Sequence, residues 1–220
     1  MGQTKYGRSA LGLVALLIAG LLAWPSAGLA QLGGLLPPIG GSTTTTGITG
    51  DATAVRATLF GALGLLTTTT ALSDTGTLAG TDVAREASQD TGSIPALLGA
   101  EVLSASTIAW PNQVASQASL ANLNLTLAGI GITADSVVAQ ASQIAGAAGT
   151  GTTTIDNLLV NGTPIAITGD PNQVVGIPGG QIVINEQTIS STGTAVVNAL
   201  HVTVAGVADV VIASVTAGIA

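Results

Sequence analysis

The stretch IDNLLVNGTPIAI, residues 155–167, decides the fold class. In it, two apolar runs flank the pair Asn161-Gly162. An Asn-Gly pair in this setting is the strongest short-range indication of a β-hairpin, because both central residues of the turn must tolerate positive φ. Short apolar runs separated by turn residues continue from there to residue 216. The second half of the chain therefore predicts a β-meander.

The first half shows the same alternation of apolar and polar positions, which predicts further strands. Leu123, Leu125 and Leu127 fall on one face of such a run, opposite Asn124 and its polar neighbours. Nine or ten short strands with few helical signals predict an all-β fold, an antiparallel β-sandwich. The rival is a β-helix, and no fixed-period repeat supports it. The expected strands cover residues 52–60, 101–109, 117–127, 132–143, 153–160, 164–168, 181–186, 195–204 and 209–216.

Two turns and one undecided region connect these strands. Gly129-Ile130-Gly131 separates two of them and predicts a second hairpin. Residues 61–70 fit neither period, and residues 72–99 form a long polar connection with several Gly residues. Within it, residues 83–87 fit either a short helix or a strand. A connection this long in a compact domain is either functional or contains a further element.

The first 30 residues have the composition of a secretory signal peptide. Lys5 and Arg8 precede an apolar run at residues 11–23, and Gly28-Leu29-Ala30 supplies small residues for cleavage after position 30. The alternative is an uncleaved amino-terminal anchor, which Pro25 disfavours because it breaks the helix ahead of the small residues. We therefore expect Sec-type export, a secreted or cell-surface location, and no stable membrane anchor once the signal is removed.

Residues 31–50 are rich in Gly, Pro and Thr and show neither period, so we expect a flexible leader. The alternative is an edge strand at residues 43–48, since Thr favours extended structure. Residues 51–220 then form a single β-sandwich domain. Its aromatic residues are Phe60 and Trp110, and it has no cysteine. Its stability must therefore come from aliphatic sheet packing and not from disulfides.

The charge balance excludes two classes of partner. The chain has four Lys and Arg residues and eleven Asp and Glu residues, and two of the four basic ones lie in the signal segment. Residues 31–220 are therefore strongly acidic, which repels phosphate backbones and anionic lipid headgroups. We expect neither nucleic-acid binding nor peripheral membrane attachment.

The residues suited to chemistry are few. His201 is the single His, so any His-dependent triad or metal site must use it. Alternation places it on the less buried face of its strand together with Val197, Ala199 and Thr203. We assign it no catalytic role, and the sequence predicts no catalytic residue and no bound cofactor.

The densest acidic cluster lies in the long connection. Carboxylates on a flexible loop are hard oxygen ligands, so these residues are the candidates for a Ca²⁺ site. Their spacing matches no known calcium loop. The alternative is a set of solvated acids, one of them paired with Arg85. The four candidates are Asp74, Asp82, Glu86 and Asp90.

Longer stretches resemble a known family. They are LSDTGTLAGTDVAREASQDTGSIPALLGAEVLSASTI (72–108), SQASLANLNLTLAGIGITADSVVAQA (116–141), NLLVNGTPIAITGDPNQVVGIPGGQIVINEQ (157–187) and AVVNALHVTVAGVADVVIASVTAGI (195–219). In wording and order they resemble the choice-of-anchor P family. The resemblance implies an exported bacterial domain of uncharacterised role, which different carboxy-terminal sorting signals follow in different members. Residues 217–220 contain no sorting motif, so we expect no covalent wall attachment.

These observations favour a secreted, non-enzymatic structural or cell-surface protein, a subunit of an extracellular matrix or fibre. The alternative is a ligand-binding or adhesive module in which residues 74–90 form a calcium-dependent loop. A carbohydrate-binding cleft would normally have aromatic platforms, which are scarce here. We also expect self-association through strand edges, because an edge presents unpaired backbone donors and acceptors that the leader of a neighbouring copy can fill. The alternative is a soluble monomer whose leader is only flexible.

Overall fold

The computed structural model describes residues 47–61, 66–78 and 83–219. In this part of the chain no helix is long and apolar enough to cross a membrane. Its elements are thirteen strands. They are β1 (Ile48–Phe60), β2 (Thr67–Asp74), β3 (Ala84–Ile94), β4 (Leu98–Trp110), β5 (Gln113–Leu127), β6 (Ile130–Ile144), β7 (Thr150–Asp156), β8 (Leu159–Val160), β9 (Thr163–Pro164), β10 (Gln173–Ile177), β11 (Gly180–Ile189), β12 (Ala195–Val204) and β13 (Ala208–Ile219).

The strands form two antiparallel sheets packed against each other, and all described residues fall in one structural unit. Sheet A has the order β10-β11-β12-β13-β1-β2. Sheet B has the order β3-β4-β5-β6-β8-β9, and β7 pairs with another part of β6. The predicted antiparallel β-sandwich is therefore confirmed, with thirteen strands among the described residues where the sequence indicated nine or ten.

The core lies between the sheets and consists of aliphatic side chains. Alanine fills many inward positions beside the larger residues, and the described part of the core contains no aromatic side chain. Short and β-branched side chains suit the pleated surfaces that meet here. The predicted inward face of Leu123, Leu125 and Leu127 is confirmed. The largest fully buried aliphatic residues are Leu78, Leu103, Leu125, Ile132, Ile182, Ile184, Leu200, Ile212, Val55, Val114 and Val137.

Both predicted hairpins form. Asn161 and Gly162, with φ of 49° and 74°, join β8 to β9 in the mirror-image turn that matches strand twist. Ala128 and Gly129, with φ of 51° and 80°, join β5 to β6. The Asn161 side chain accepts a hydrogen bond from the Gly131 N–H at 2.8 Å, which ties the two turns together.

The undecided region contains two edge strands. β2 and β3 lie within residues 61–99, so the strand alternative for residues 83–87 is confirmed from Ala84 onward. Their alternation is weak in the sequence because most of their side chains face solvent. Sheet pairing with β1 and β4 defines them instead.

Several strands differ from expectation, among them β10, which was not expected, and β5, which begins four residues earlier. β1 begins at Ile48, so residues 48–50 belong to the sheet and not to the leader; they pair with residues 217–219 of β13. The strand expected over 153–160 is split into β7 and β8 by Asn157, whose φ is 54°. The strand expected over 164–168 ends at Pro164. The predicted signal peptide and residues 31–46 of the leader lie outside the described residues.

A row of irregular strand positions, called the irregular row below, crosses sheet A and changes which residues face the core. Ser73, Ala213 and Asn185 have positive φ on β2, β13 and β11. The pairing register skips Ala54 and Ala199 on the strands between them. The register is the same on both sides of this row, so no strand gains a residue over its neighbour. The inward and outward alternation nevertheless reverses across it. In β12 the buried positions accordingly change from 195, 197 and 199 to 200, 202 and 204.

Candidate functional site

The densest polar constellation of the described residues surrounds His201 on the outer face of sheet A. Its Nδ1 lies 2.9 Å from Oε2 of Glu186 on β11, and its Nε2 lies 3.2 Å from Oδ2 of Asp209 on β13. Asn198 on β12 donates from Nδ2 to the same Glu186 oxygen at 2.6 Å. These four residues are called the His201 cluster below. The imidazole bridges three adjacent strands between two carboxylates.

Strand register brings these residues together. The β12–β13 hairpin pairs Thr203 with Asp209, one diagonal step from His201. On the side of β12 away from β13, Glu186 of β11 pairs with Asn198, just beyond the irregular row. Sequence reasoning missed both carboxylates. The turn at Gly206 was a usable signal for Asp209. The position of Glu186 depends on the irregular row, for which Asn185, a residue type that tolerates positive φ, was the available signal.

The ionisation of His201 follows from its partners. Burial lowers the pKa of His201, but the hydrogen bond to Asp209 and the negative charges of Asp209 and Glu186 together raise it by more, so the net pKa lies above its ordinary value. Only the protonated ring can donate one hydrogen bond from each nitrogen to a carboxylate, which is the arrangement seen here. A general base needs an unprotonated nitrogen within reach of a substrate proton. Both nitrogens are occupied here, so the geometry favours a cross-strand tie.

The predicted orientation of His201 is partly correct. The ring lies on the less buried face, and Thr203 shares that face. Val197 and Ala199 were expected beside them, but both are buried on the opposite face. The irregular row at Ala199 is the reason, because the alternation reverses between Ala199 and Leu200.

A second cation on the same face, Arg56 of β1, also lies between two carboxylates. One guanidinium nitrogen is 3.8 Å from Asp74 and 3.9 Å from Asp51, and it donates to the Thr53 hydroxyl at 3.0 Å. Burial raises the pKa of Asp51, and the charge of Asp74 raises it further. Arg56 and the Thr53 hydroxyl lower it by less. We call these four residues the Arg56 cluster.

The structure brings no three of the described calcium candidates together. Asp74 belongs to the Arg56 cluster and accepts a hydrogen bond from the Gly76 N–H at 2.8 Å. Glu86 and Asp90 lie on β3 of the other sheet, four residues and about 13 Å apart along the strand. Asp82 lies outside the described residues. Among the residues that are described, no three His, Cys, Asp or Glu side chains are grouped so that they could hold a metal ion.

One depression adjoins the His201 cluster. Its volume is about 400 Å³, and its lining includes Phe60, Gln181, Thr203, Asp209 and the glycines of two turns. The Asp209 carboxylate that faces it is the one bonded to His201. The depression therefore offers one aromatic side chain and three polar ones at the end of sheet A.

Comparisons of the chain with protein-family models, with curated proteins and with solved structures found no match.

Proposed function

We propose that this chain is a secreted, non-enzymatic structural or cell-surface protein whose sandwich is a building unit of an extracellular assembly. The observation that supports this most directly is the His201 cluster. It engages the single imidazole of the chain with a carboxylate on each nitrogen. The side chain best suited to acid–base chemistry near neutral pH is thus used to connect strands.

The outer face of sheet B supports a scaffold role. Its rows of small uncharged side chains bond to each other across strands, as Gln140 does to Gln117 at 3.0 Å and Ser142 does with Thr150 at 3.2 Å. Cross-strand pairs of this kind stabilise a sheet from its solvent side. On such a face, polar side chains that are hydrogen-bonded to each other are less available to bind a small ligand.

The proposed assembly forms through strand edges. Two routes are open: the leader of one copy adds a strand to another, or the folded bodies pair directly. β1 begins at Ile48 beside the end of β13, so a donated leader would extend from that end of the sandwich. In either route main-chain hydrogen bonds supply the affinity.

Light scattering and negative-stain microscopy test the proposal. The exported form, residues 31–220, is compared with a version that begins at Gly47. A start at Asp51 is unsuitable because it deletes residues 48–50, which pair with β13. Assembly that is lost on truncation supports the donated leader, and assembly that persists supports pairing of the folded bodies. Two soluble monomers at high concentration would contradict self-association. Hydrolytic turnover abolished by His201→Ala would contradict the non-enzymatic role.

A further inference from the structure

We propose that the edge of β2 pairs symmetrically with the same edge of a second copy of this chain, centred on Thr69. The inference rests on the proposed self-association and names the edge and the register that would carry it. β2 is the last strand of sheet A, and β1 is its strand partner within the described residues.

Backbone hydrogen bonds at the open end of the β1–β2 pair show which residues of β2 face outward. The Gly61 N–H donates to the Leu66 carbonyl at 2.7 Å, across the pair. The Phe60 N–H donates in the other direction, to the Val207 carbonyl at 2.9 Å. Phe60 is paired with Thr67. Since bonded and non-bonded pairs alternate along antiparallel strands, Thr67 directs its backbone groups away from β1.

By the same alternation, Thr67, Thr69 and Ala71 direct their backbone N–H and C=O groups away from β1. These positions are symmetric about Thr69, so the edge is complementary to a copy of itself. In an antiparallel pair centred there, Thr67 faces Ala71 of the second copy and Thr69 faces its own equivalent. This register contains three such residue pairs. Each pair exchanges two hydrogen bonds, which gives about six in all. A centre at Thr70 would place Thr67 opposite Ser73, whose left-handed backbone (φ 47°) interrupts the ladder.

The side chains of β2 fit this register. Residues 66–73 carry no ionisable group, and Asp74 lies beyond the paired residues. Natural edge strands are normally protected by charge, by proline or by shortness, and this edge has none of these over its Thr run. Leu66 is 76% exposed, the highest value among the large apolar residues described. In this register Leu66 lies opposite Leu72 of the second copy. The Leu72 side chain packs against the core of its own copy.

The other edges are protected. β3 carries Arg85, Glu86 and Asp90, whose charges oppose strand addition. β9 has two residues, one of them Pro164, and β10 has five. At β7 the Gln187 side chain already donates to the Gly151 carbonyl at 3.2 Å. Of the described edge strands, β2 therefore has the longest uncharged run, residues 67–73.

Single cysteines test the register directly, because the chain has no Cys of its own. In the exported full chain under mild oxidation, Thr69→Cys is expected to form an intermolecular disulfide, since the two positions face each other. Ala71→Cys alone is expected not to, because its equivalents lie about 13 Å apart along the strands, too far for a disulfide. A mixture of Thr67→Cys and Ala71→Cys should crosslink. Equal crosslinking of Thr69→Cys and Ala71→Cys would overturn the register.

A charged side chain at position 69 tests whether the β2 edge carries the association. Thr69→Lys and Thr69→Glu should each weaken self-association in sedimentation by about tenfold or more, and mixing them should restore it, because opposite charges then face each other. Val174→Lys, on the exposed edge strand β10 of the same sheet, is the matched control and should have no effect. Circular dichroism checks that each variant folds.

The outcomes separate the two proposals. If the chain assembles and Thr69→Lys leaves assembly unchanged, the β2 edge is wrong while the proposed assembly stands. If the unsubstituted chain stays monomeric at every concentration, both are wrong. Loss of assembly in Thr69→Lys with rescue by Thr69→Glu supports the symmetric edge.

Discussion

Replacing His201 by Gln is expected to remove a stabilisation that is present at acidic pH and lost at alkaline pH. The pKa of His201 is raised in the folded protein, so the folded state holds the proton more tightly than the unfolded state, whose pKa is near 6.5. By linkage, the contribution is complete below that unfolded value and disappears as the pH rises through the folded pKa. The amide side chain of the variant stays polar but has no charge to lose.

The size of this effect follows from the partners of the ring. Hydrogen bonds to charged groups contribute about 1.5–3 kcal/mol each. The His201 side chain is 21% exposed, and those of Glu186 and Asp209 are 30% and 42% exposed, so solvent screens both contacts. We therefore expect His201→Gln to cost about 1–2 kcal/mol at pH 5.5 and clearly less at pH 9.

Urea unfolding at the two pH values measures the difference, with circular dichroism as the signal and the m-value as a check that the unfolded states match. Asp209→Asn is the companion variant, because it removes one of the two charges that hold the proton and should give an intermediate pH dependence. If His201→Gln and the unsubstituted chain lost stability in parallel between pH 5.5 and pH 9, the imidazolium between two carboxylates would be the wrong description.

Three further predictions concern the core, the Arg56 cluster and calcium. Leu125→Ala should cost about 2–5 kcal/mol in urea unfolding, because its side chain is fully buried, whereas the exposed Asn124→Ala should cost under about 0.5 kcal/mol; equal costs would refute the register of β5. Asp51→Asn should raise the melting temperature at pH 7 relative to the unsubstituted chain, because the raised pKa of Asp51 shows that its charged form is unfavourable in the folded state. The difference should disappear as the pH falls and Asp51 becomes protonated. A lower melting temperature of the variant at pH 7 would mean that the ion pair between Asp51 and Arg56 dominates. Millimolar Ca²⁺ should leave the melting temperature unchanged because no three of the described candidate carboxylates lie together, and a clear rise would show a native-state site.

Local signals in the sequence predicted the hairpins and the central strands. The Asn161-Gly162 turn needs two residues that accept positive φ, and that requirement is visible in the residue types. The leucine face of β5 is visible because its apolar and polar residues alternate without interruption from Leu123 to Leu127. Where a strand has one buried face and no irregularity, alternation alone gives its orientation.

Irregular strand positions explain the side-chain orientations that alternation did not predict. Left-handed residues occur at Ala213 in sheet A and at Val102 in sheet B, with φ of 51° and 49°, and neither residue type signals a positive φ. In sheet A the irregular residue on each strand lies opposite one on its neighbour, and among them Asn185 is the residue type that tolerates positive φ. The irregular row is why the face of Val197 was assigned wrongly and why Glu186 was not recognised as a partner of His201.

The distribution of charge bears on how the proposed assembly would grow. The two cations on the outer face of sheet A, Arg56 and His201, are each flanked by two carboxylates. Stacking one copy on another through that face would bring acidic clusters together. Symmetric pairing at β2, which joins two copies, avoids this, because the paired residues are uncharged and Asp74 lies outside them. Salt screens charge repulsion but has little effect on main-chain hydrogen bonds. Association through the edge should therefore change little between low and moderate ionic strength, whereas face-to-face stacking should be promoted strongly by salt.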